Sequence, residues 1–399
     1  IYAKSLWLDS IPADIYVENL LNKYNYQPNK NQVEAILGEY DDPSNQHQGL
    51  VKLKLDAEGN TIIYSQSSAG REMIINSLIY SLCLLYKTED INIYIFDFGS
   101  EALRMFDKMP QVGDIVYSED SEKIEKLLRI IDDEIETRKE LFVDYNGEYE
   151  TYCKNSGNKL PLKIVIFNNF ESFKESYGNY EDLISRYARE GKRYGIIMIV
   201  ATVSSSGMFG KFIRNFKNVF ALDMGDRNGY SNYFDRVGNL LPASFVGRGM
   251  FKGEKLYEFQ SAQICPKDNL LDFVKARTLE IQKYNSTKAP KIPILPEKVT
   301  FDMLESYIKD LKNVPLGIGK VDLDVSTYNF MSDKATLITG NNSEVFPDFI
   351  KNLVLEFNSL KTINTILIDA DNIFEKYKDI PTNYRDSNFE NYLQDASIY

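Results

Sequence analysis

The sequence predicts an α/β chain in which mostly parallel sheets are flanked by helices, laid out twice along its length. Three observations carry this. First, short and nearly all-apolar runs recur at 91–97 (INIYIFD), 162–167 (LKIVIF) and 195–201 (GIIMIVA). Strands of that composition are covered on both faces, as parallel strands are. Second, stretches of helical period separate these runs, and such alternation implies right-handed parallel crossovers. Third, residues 60–86 read NTIIYSQSSAGREMIINSLIYSLCLLY. That is a strand, a loop of small residues, and a helix from Arg71 with Ile74, Ile75, Leu78, Ile79, Leu82 and Leu85 on one broad face.

Taken in order, residues 1–56 carry strand-like runs at 5–8, 33–37 and 50–55, broken by Pro, Asn and Asp. They form a β-rich preface to the sheet. The 60–86 stretch and the 91–97 strand follow. A helix is expected over 121–142 with its charges outward, then the 162–167 strand ending at Asn168 and Asn169. Next come a helix over 181–189, the 195–201 strand and a weaker strand at 219–222. Runs at 249–252 and 255–259 read as a hairpin closing a first domain, 1–283. Residues 284–299 (YNSTKAPKIPILPEKV) hold three prolines and few helix formers. They begin an extended linker, 284–313. The pattern then restarts with strands at 316–325 and 335–338, a loop opening at Thr339 and Gly340, a helix over 348–357 and a strand at 365–369 (TILID). This internal repeat is a second copy of one domain type, 314–399, without its later strands.

The bulk numbers narrow the function. With 399 residues, 43% hydrophobic and 26% charged, the chain has the composition of a globular protein with room for two cores. No apolar run reaches the ~18–20 residues that cross a bilayer. The chain opens on Ile1 rather than Met, so a piece of a longer protein is expected, with any anchor upstream. A net charge of −12 disfavours duplex nucleic acid as the main partner, because that grip comes from neutralising phosphates. Cys83, Cys153 and Cys265 are too far apart for a metal motif, and His47 has no ligand-type neighbour.

A small-residue loop between strand and helix is where backbone N–H groups gather around phosphates, in the pattern G-x-x-x-x-G-K-[ST]. Laid on that pattern, Ser65 stands at the first Gly and Gly70 at the second, with Ser68 and Ala69 inside the loop. Arg71 replaces the Lys and Glu72 the hydroxyl. A planar guanidinium is no substitute for a compact ammonium. A carboxylate at a helix start suits the dipole as a cap and repels polyphosphate. Two readings stay open for this loop, a self-capped helix start and residual nucleotide binding. The second element of such sites is an apolar strand ending in an acid that holds the metal's waters. Here that strand ends in Asn168, an amide that neither acts as base nor neutralises Mg²⁺. With both positions changed, no catalytic residue, no metal and no bound cofactor is expected, and ATP–Mg²⁺ at most weakly.

In the second copy the loop runs Gly340, Asn341, Asn342, Ser343, and then puts Val345, Phe346 and Pro347 where Gly, Lys and the hydroxyl belong. Asp369 and Asp371 lack the Gly and Glu of a calcium loop and read as strand-end and turn residues. Arg186, Arg189 and Arg193 are either fingers reaching a neighbouring module or a solvated helix face. Some of the 27 Tyr and 23 Phe could line a peptide pocket in a cleft without nucleotide.

These residues resemble a known family. The segments GEYDDPSNQHQ at 38–48, the loop at 64–72, IYIFDFGSEALRMFDKMPQVGDIV at 93–116, IVIFNNFESF at 164–173, AREGKRYGI at 188–196, GRGMF with EFQSAQ over 247–263, and KIPILPEKVT at 291–300 are similar to the tandem FtsK/SpoIIIE-like ATPase domains of type VII secretion motors of the EssC/EccC type. The likeness is closer to the staphylococcal branch than to the mycobacterial one. It implies tandem RecA-like P-loop NTPase folds, a second motor domain from Thr61 to about Ala276 and the start of a third near Val314. It further implies a motor on the cytosolic face of the bacterial membrane, anchored upstream, and assembled as a hexamer with its other ATPase domains. Its cargo would be small helical-hairpin proteins recognised through a C-terminal signal. The departures at Ser65, Arg71, Glu72, Asn168 and Phe346 point to a catalytically degenerate module serving recognition and regulation, with an active translocase as the alternative.

Overall fold

Three of the apolar runs lie side by side within a ten-stranded sheet. A computed structural model of the chain describes residues 8–29, 32–204, 210–234, 237–238, 240–320, 323–332, 335–340, 345–360 and the single positions 363, 365, 367, 369, 373, 374 and 377. Two units emerge, Ile1–Ile292 and Pro293–Tyr399. In chain order the first contains α1 (Val17–Lys23), β1 (Glu34–Asp42), β2 (His47–Lys54), α2 (Leu55–Glu58), β3 (Thr61–Ser65), α3 (Ser68–Leu85), β4 (Ile91–Asp97) and β5 (Val112–Tyr117). It continues with α4 (Ser121–Leu141), α5 (Tyr149–Asn155), β6 (Leu162–Asn168), α6 (Phe170–Tyr177), α7 (Glu181–Glu190), β7 (Ile196–Thr202) and α8 (Gly210–Ile213). The unit ends with β8 (Asn218–Leu222), α9 (Arg227–Ser231), β9 (Arg248–Lys252), β10 (Leu256–Ser261) and α10 (Leu270–Gln282).

The strands stand in the order β2-β1-β10-β9-β8-β3-β7-β6-β4-β5. From β8 to β5 the neighbours are parallel, and from β8 back to β2 they are antiparallel. The parallel part is buried on both faces, which is why its strands read as unbroken apolar runs. Ile93 and Ile95 of β4 pack with α3, α10 and β1, while Tyr94 and Phe96 pack with α4, α6 and α7 on the opposite face. Arg138 of α4, itself buried, donates to the carbonyls of Tyr194 and Pro161 at 2.8 Å each. It thereby pins α4 to the starts of β6 and β7.

Helix α3 departs from the expected one-sided pattern, since its non-apolar side is buried too. Ser77 donates to the carbonyl of Ile36 at 2.8 Å, and Ser81 accepts from the amide of Ile36 at 3.0 Å. These serines satisfy β1 where its register slips between Ile36 and Gly38, so a polar face here means a buried strand partner rather than solvent. The helix α1 and the strand β5 were not expected. Seven residues are too few for α1 to display a helical period, and Gly113 and Asp114 interrupt the apolar run of β5.

In the second unit, α11 (Phe301–Leu304), β11 (Val314–Ile318), β12 (Val325–Tyr328) and α12 (Val345–Ser359) follow one another. The single strand expected over 316–325 is instead two strands of an antiparallel hairpin. The turn between them is closed by Gly319 N–H donating to Asp324 O at 2.8 Å. Residues 335–338 are not a strand, and Leu337 is 89% exposed. An apolar alternation forms a strand only where a sheet edge accepts it. Residues 366 and 368 of the expected 365–369 strand lie outside the described residues, as does Asp371. Asp369 is a turn residue, its carboxylate accepting from the amides of Ile373 and Phe374 at 2.9 and 2.8 Å.

Candidate functional site

Parallel sheets present ligands at the carboxyl ends of their strands. In the first unit Ser65, Asp97, Asn168, Thr202 and Asp223 gather there, because the strands that carry them are neighbours in register. Tyr64 pairs with Thr202, Asp97 with Asn168, and Ser65 with Leu222.

The loop after β3 is short. Helix α3 starts at Ser68, three residues before the expected Arg71, so Ser68, Ala69 and Gly70 are helical. Ser67 is its N-cap, in extended conformation, with its hydroxyl accepting from Gly70 N–H at 3.0 Å. The Ser67 carbonyl accepts from Arg71 N–H at 3.1 Å. Ser65 donates to the same carbonyl at 2.7 Å. Four donors at a helix start have no intrahelical partner; the Ser67 hydroxyl takes that of Gly70, while the Arg71 bond to the Ser67 carbonyl is the first turn of the helix itself.

Arg71 is only 7% exposed, and its Nε has no partner among the described residues. Burial pushes the guanidinium below its usual pKa, while the nearby Glu171, Glu72 and Asp97 push it back up. Glu72 accepts from the Ser100 hydroxyl at 2.5 Å. Asn168, 1% exposed, donates through Nδ2 to Asp97 Oδ1 at 2.8 Å, and its Oδ1 has no partner among the described residues. Asp97 also accepts from the amides of Gly99 and Leu103 at 3.2 and 3.3 Å. Glu171, at the start of α6, accepts from the amides of Val203 and Ser204 after β7, at 3.0 and 2.9 Å from Oε1.

Thus Ser65, Ser68, Ala69, Gly70, Arg71 and Glu72 share one helix start, with Asn168 at the end of a strand two places away. In the second unit Gly340 is described, whereas Asn341, Asn342 and Ser343 lie outside the described residues. Sequence reasoning missed Ser67 as the cap and Asp223 as a neighbour of the loop. A serine just before the helical period was the available signal for the first. An acid directly after the 219–222 strand was the signal for the second.

Beside the loop a cavity of about 280 Å³ opens along α3, walled by Glu72, Met73, Asn76, Ile264, Cys265 and Leu270. A larger cleft of about 1020 Å³ lies at the other end of the strands, with Arg189, Lys192 and Arg193 in its wall. Its charges are already engaged. Arg189 pairs with Glu190 at 2.7 Å, and Arg193 donates to the carbonyls of Gly147 and Asn146. Arg186 pairs with Asp132.

The FtsK/SpoIIIE family profile matches residues 23–164, which carry β1 to β5, the loop after β3 and the first three residues of β6. Over 398 residues the chain is 26% identical to the type VII secretion system protein EssC of Staphylococcus aureus strain MRSA252, covering 96% of this chain and 27% of that protein. The chain is similar to EssC and, over residues 23–164, to the FtsK/SpoIIIE family. It spans about a quarter of the length of the EssC proteins it matches. The fold agrees with ATPases 2 and 3 of EssC from Geobacillus thermodenitrificans at a TM-score of 0.82, with 22% identity, over 98% of this chain and 76% of that one. Thermomonospora curvata EccC, ATPases 2 and 3 in complex with a signal sequence peptide, agrees at a TM-score of 0.66 with 18% identity, over 93% of this chain and 71% of that one. Identities this low carry the fold alone. The segment that matches the FtsK/SpoIIIE profile is thus part of an α/β unit in which a strand, a short loop and a helix follow one another at residues 61–85.

Proposed function

We propose that this chain is a module of a type VII secretion motor that keeps the FtsK/SpoIIIE fold without turning over nucleotide, and serves substrate recognition, regulation and ring assembly. One observation carries the reading. The turn that would cradle phosphates is helix from Ser68 onward, and the Ser67 hydroxyl already caps it by accepting from Gly70 N–H. The residues do not fit Mg²⁺–ATP on two further counts. Glu72 stands where a hydroxyl would hold the metal, with its carboxylate bonded to Ser100. At the end of β6 the amide of Asn168 is tied to Asp97, so no free acid is left to order a metal's waters.

Small helical-hairpin proteins bearing a C-terminal signal are the proposed cargo. Support comes from the likeness to EssC and from the related EccC, which was solved with a signal sequence peptide. The cavity along α3 offers such a peptide an apolar pocket for a side chain or two. The proposed partners are the other ATPase domains of one motor, six copies in a ring, at the cytosolic face of the membrane and anchored by segments outside this chain. Nucleic acid is not among them, consistent with a net charge of −12.

A second reading, an active translocase with an unorthodox site, draws on the buried Arg71 at the lysine position, whose Nε has no partner among the described residues. Calorimetry with ATP–Mg²⁺ and a turnover assay separate the two. No turnover and no tight Mg²⁺-dependent binding is the expected result. A rate that Arg71→Ala abolishes would establish the second reading instead.

A further inference from the structure

Asp223 follows β8, and the pairing of Leu222 with Ser65 brings it against the loop after β3. Its backbone is left-handed, with φ at +55°, a conformation that disfavours any side chain bearing a Cβ. Its Oδ1 accepts from Gly247 N–H at 3.2 Å, and its Oδ2 lies 3.4 Å from Ser65 Oγ. Oδ2 presses so closely on Gly70 that a Cβ built there would stand 1.9 Å away. Burial is what dominates its ionisation, and the groups that act against burial are all uncharged donors, from Gly247, Ser65 and Ser67. A carboxylate half-buried in this way is unfavourable unless something favours it. What favours it is the start of an 18-residue helix, where negative charge meets the positive end of the dipole.

We propose that the Asp223 carboxylate is a built-in occupant of the loop, an anion supplied by the chain itself that engages Gly247 and Ser65, presses on Gly70 at the helix start, and closes them to the phosphate of a nucleotide. The inference rests on the non-hydrolysing reading of the loop but adds a separate claim. Once Asp223 is withdrawn, the same donors would receive a tetrahedral oxyanion. Gly70 is required on this account, because any side chain there would collide with the carboxylate.

The test uses the full chain, with inorganic phosphate as the probe, in thermal melts at matched ionic strength. Asp223→Gly removes the charge and also relieves the left-handed backbone. It is expected to bind phosphate at least about tenfold more tightly than the parent chain, read as a phosphate-dependent rise in Tm of a few degrees. Asp223→Asn keeps the volume, loses the charge and gains less. If Asp223→Gly fails to fold, Asp223→Asn decides alone. An equal phosphate response in the parent and the variants overturns the inference, and so does a folded variant that ignores phosphate. The two readings fail differently. ATP–Mg²⁺ turnover by the parent chain sinks the non-hydrolysing reading, whereas phosphate-silent variants of a chain without turnover sink only the role of Asp223.

Discussion

At the scale of single residues, Asn168 is paired with Asp97 at the carboxyl end of the sheet. The amide donates at 2.8 Å to a carboxylate that two backbone N–H groups also hold. Replacing it by the acid of an ordinary ATPase would set two buried carboxylates side by side. Asn168→Asp is therefore expected to lower stability by about 1–3 kcal/mol and to restore no turnover, as followed by urea denaturation and a phosphate-release assay. Asp223 gives the pH dependence. Burial raises its pKa to about 6, from an ordinary carboxyl value of 3.8. The folded chain thus holds this proton more tightly than the unfolded one. The resulting stability is fully present below about pH 4 and is lost as the pH rises through about 6. Asp223→Asn, uncharged throughout, should melt progressively higher relative to the parent between pH 5 and pH 7. A Tm difference that stays flat over that window would rule out a desolvated carboxylate. The residue types at Ser65, Arg71, Glu72 and Asn168 could be read as departures from a phosphate site without any coordinates. Among their partners Ser67 is local, two or three residues from Ser65 and Gly70, whereas Asp223 and Glu171 come near only through strand order.

At the scale of elements, the start of α3 separates a phosphate cradle from a capped helix. Sequence reasoning set it at Arg71 because the phosphate-loop pattern counts from there. The structure begins at Ser68 because a serine in extended conformation caps it. Ser67→Ala should therefore cost about 0.5–2 kcal/mol, the range for losing an N-cap, and a neutral melt would argue that the cap carries no weight. Gly70→Ala should cost about 1–3 kcal/mol through its clash with Asp223, and much of that loss should vanish in an Asp223→Gly background. A double-mutant cycle measures the coupling directly. Elsewhere the period alone was enough. Strands β4, β6 and β7 announced themselves as apolar runs, while β5 and α1 were too interrupted or too short to do so.

At the scale of the molecule, the first unit owns a closed core on both faces of its sheet. The residues of Ile1–Ile292 expressed alone should melt in one cooperative transition by circular dichroism, and a broad, non-cooperative melt would show that the core needs residues beyond it. By itself the sequence determined the α/β class, the family likeness, the main strands and which motif positions had changed. Each of those depends on local period or residue type, and both survive translation into a string of letters. Only the tertiary structure decided that the helix begins at Ser68, that the Ser67 hydroxyl holds Gly70 N–H, and that an acid more than 150 residues downstream leans on Gly70. The last of these depends on which strand lies beside β3, and sheet order is fixed by packing among distant segments that no single stretch of sequence encodes.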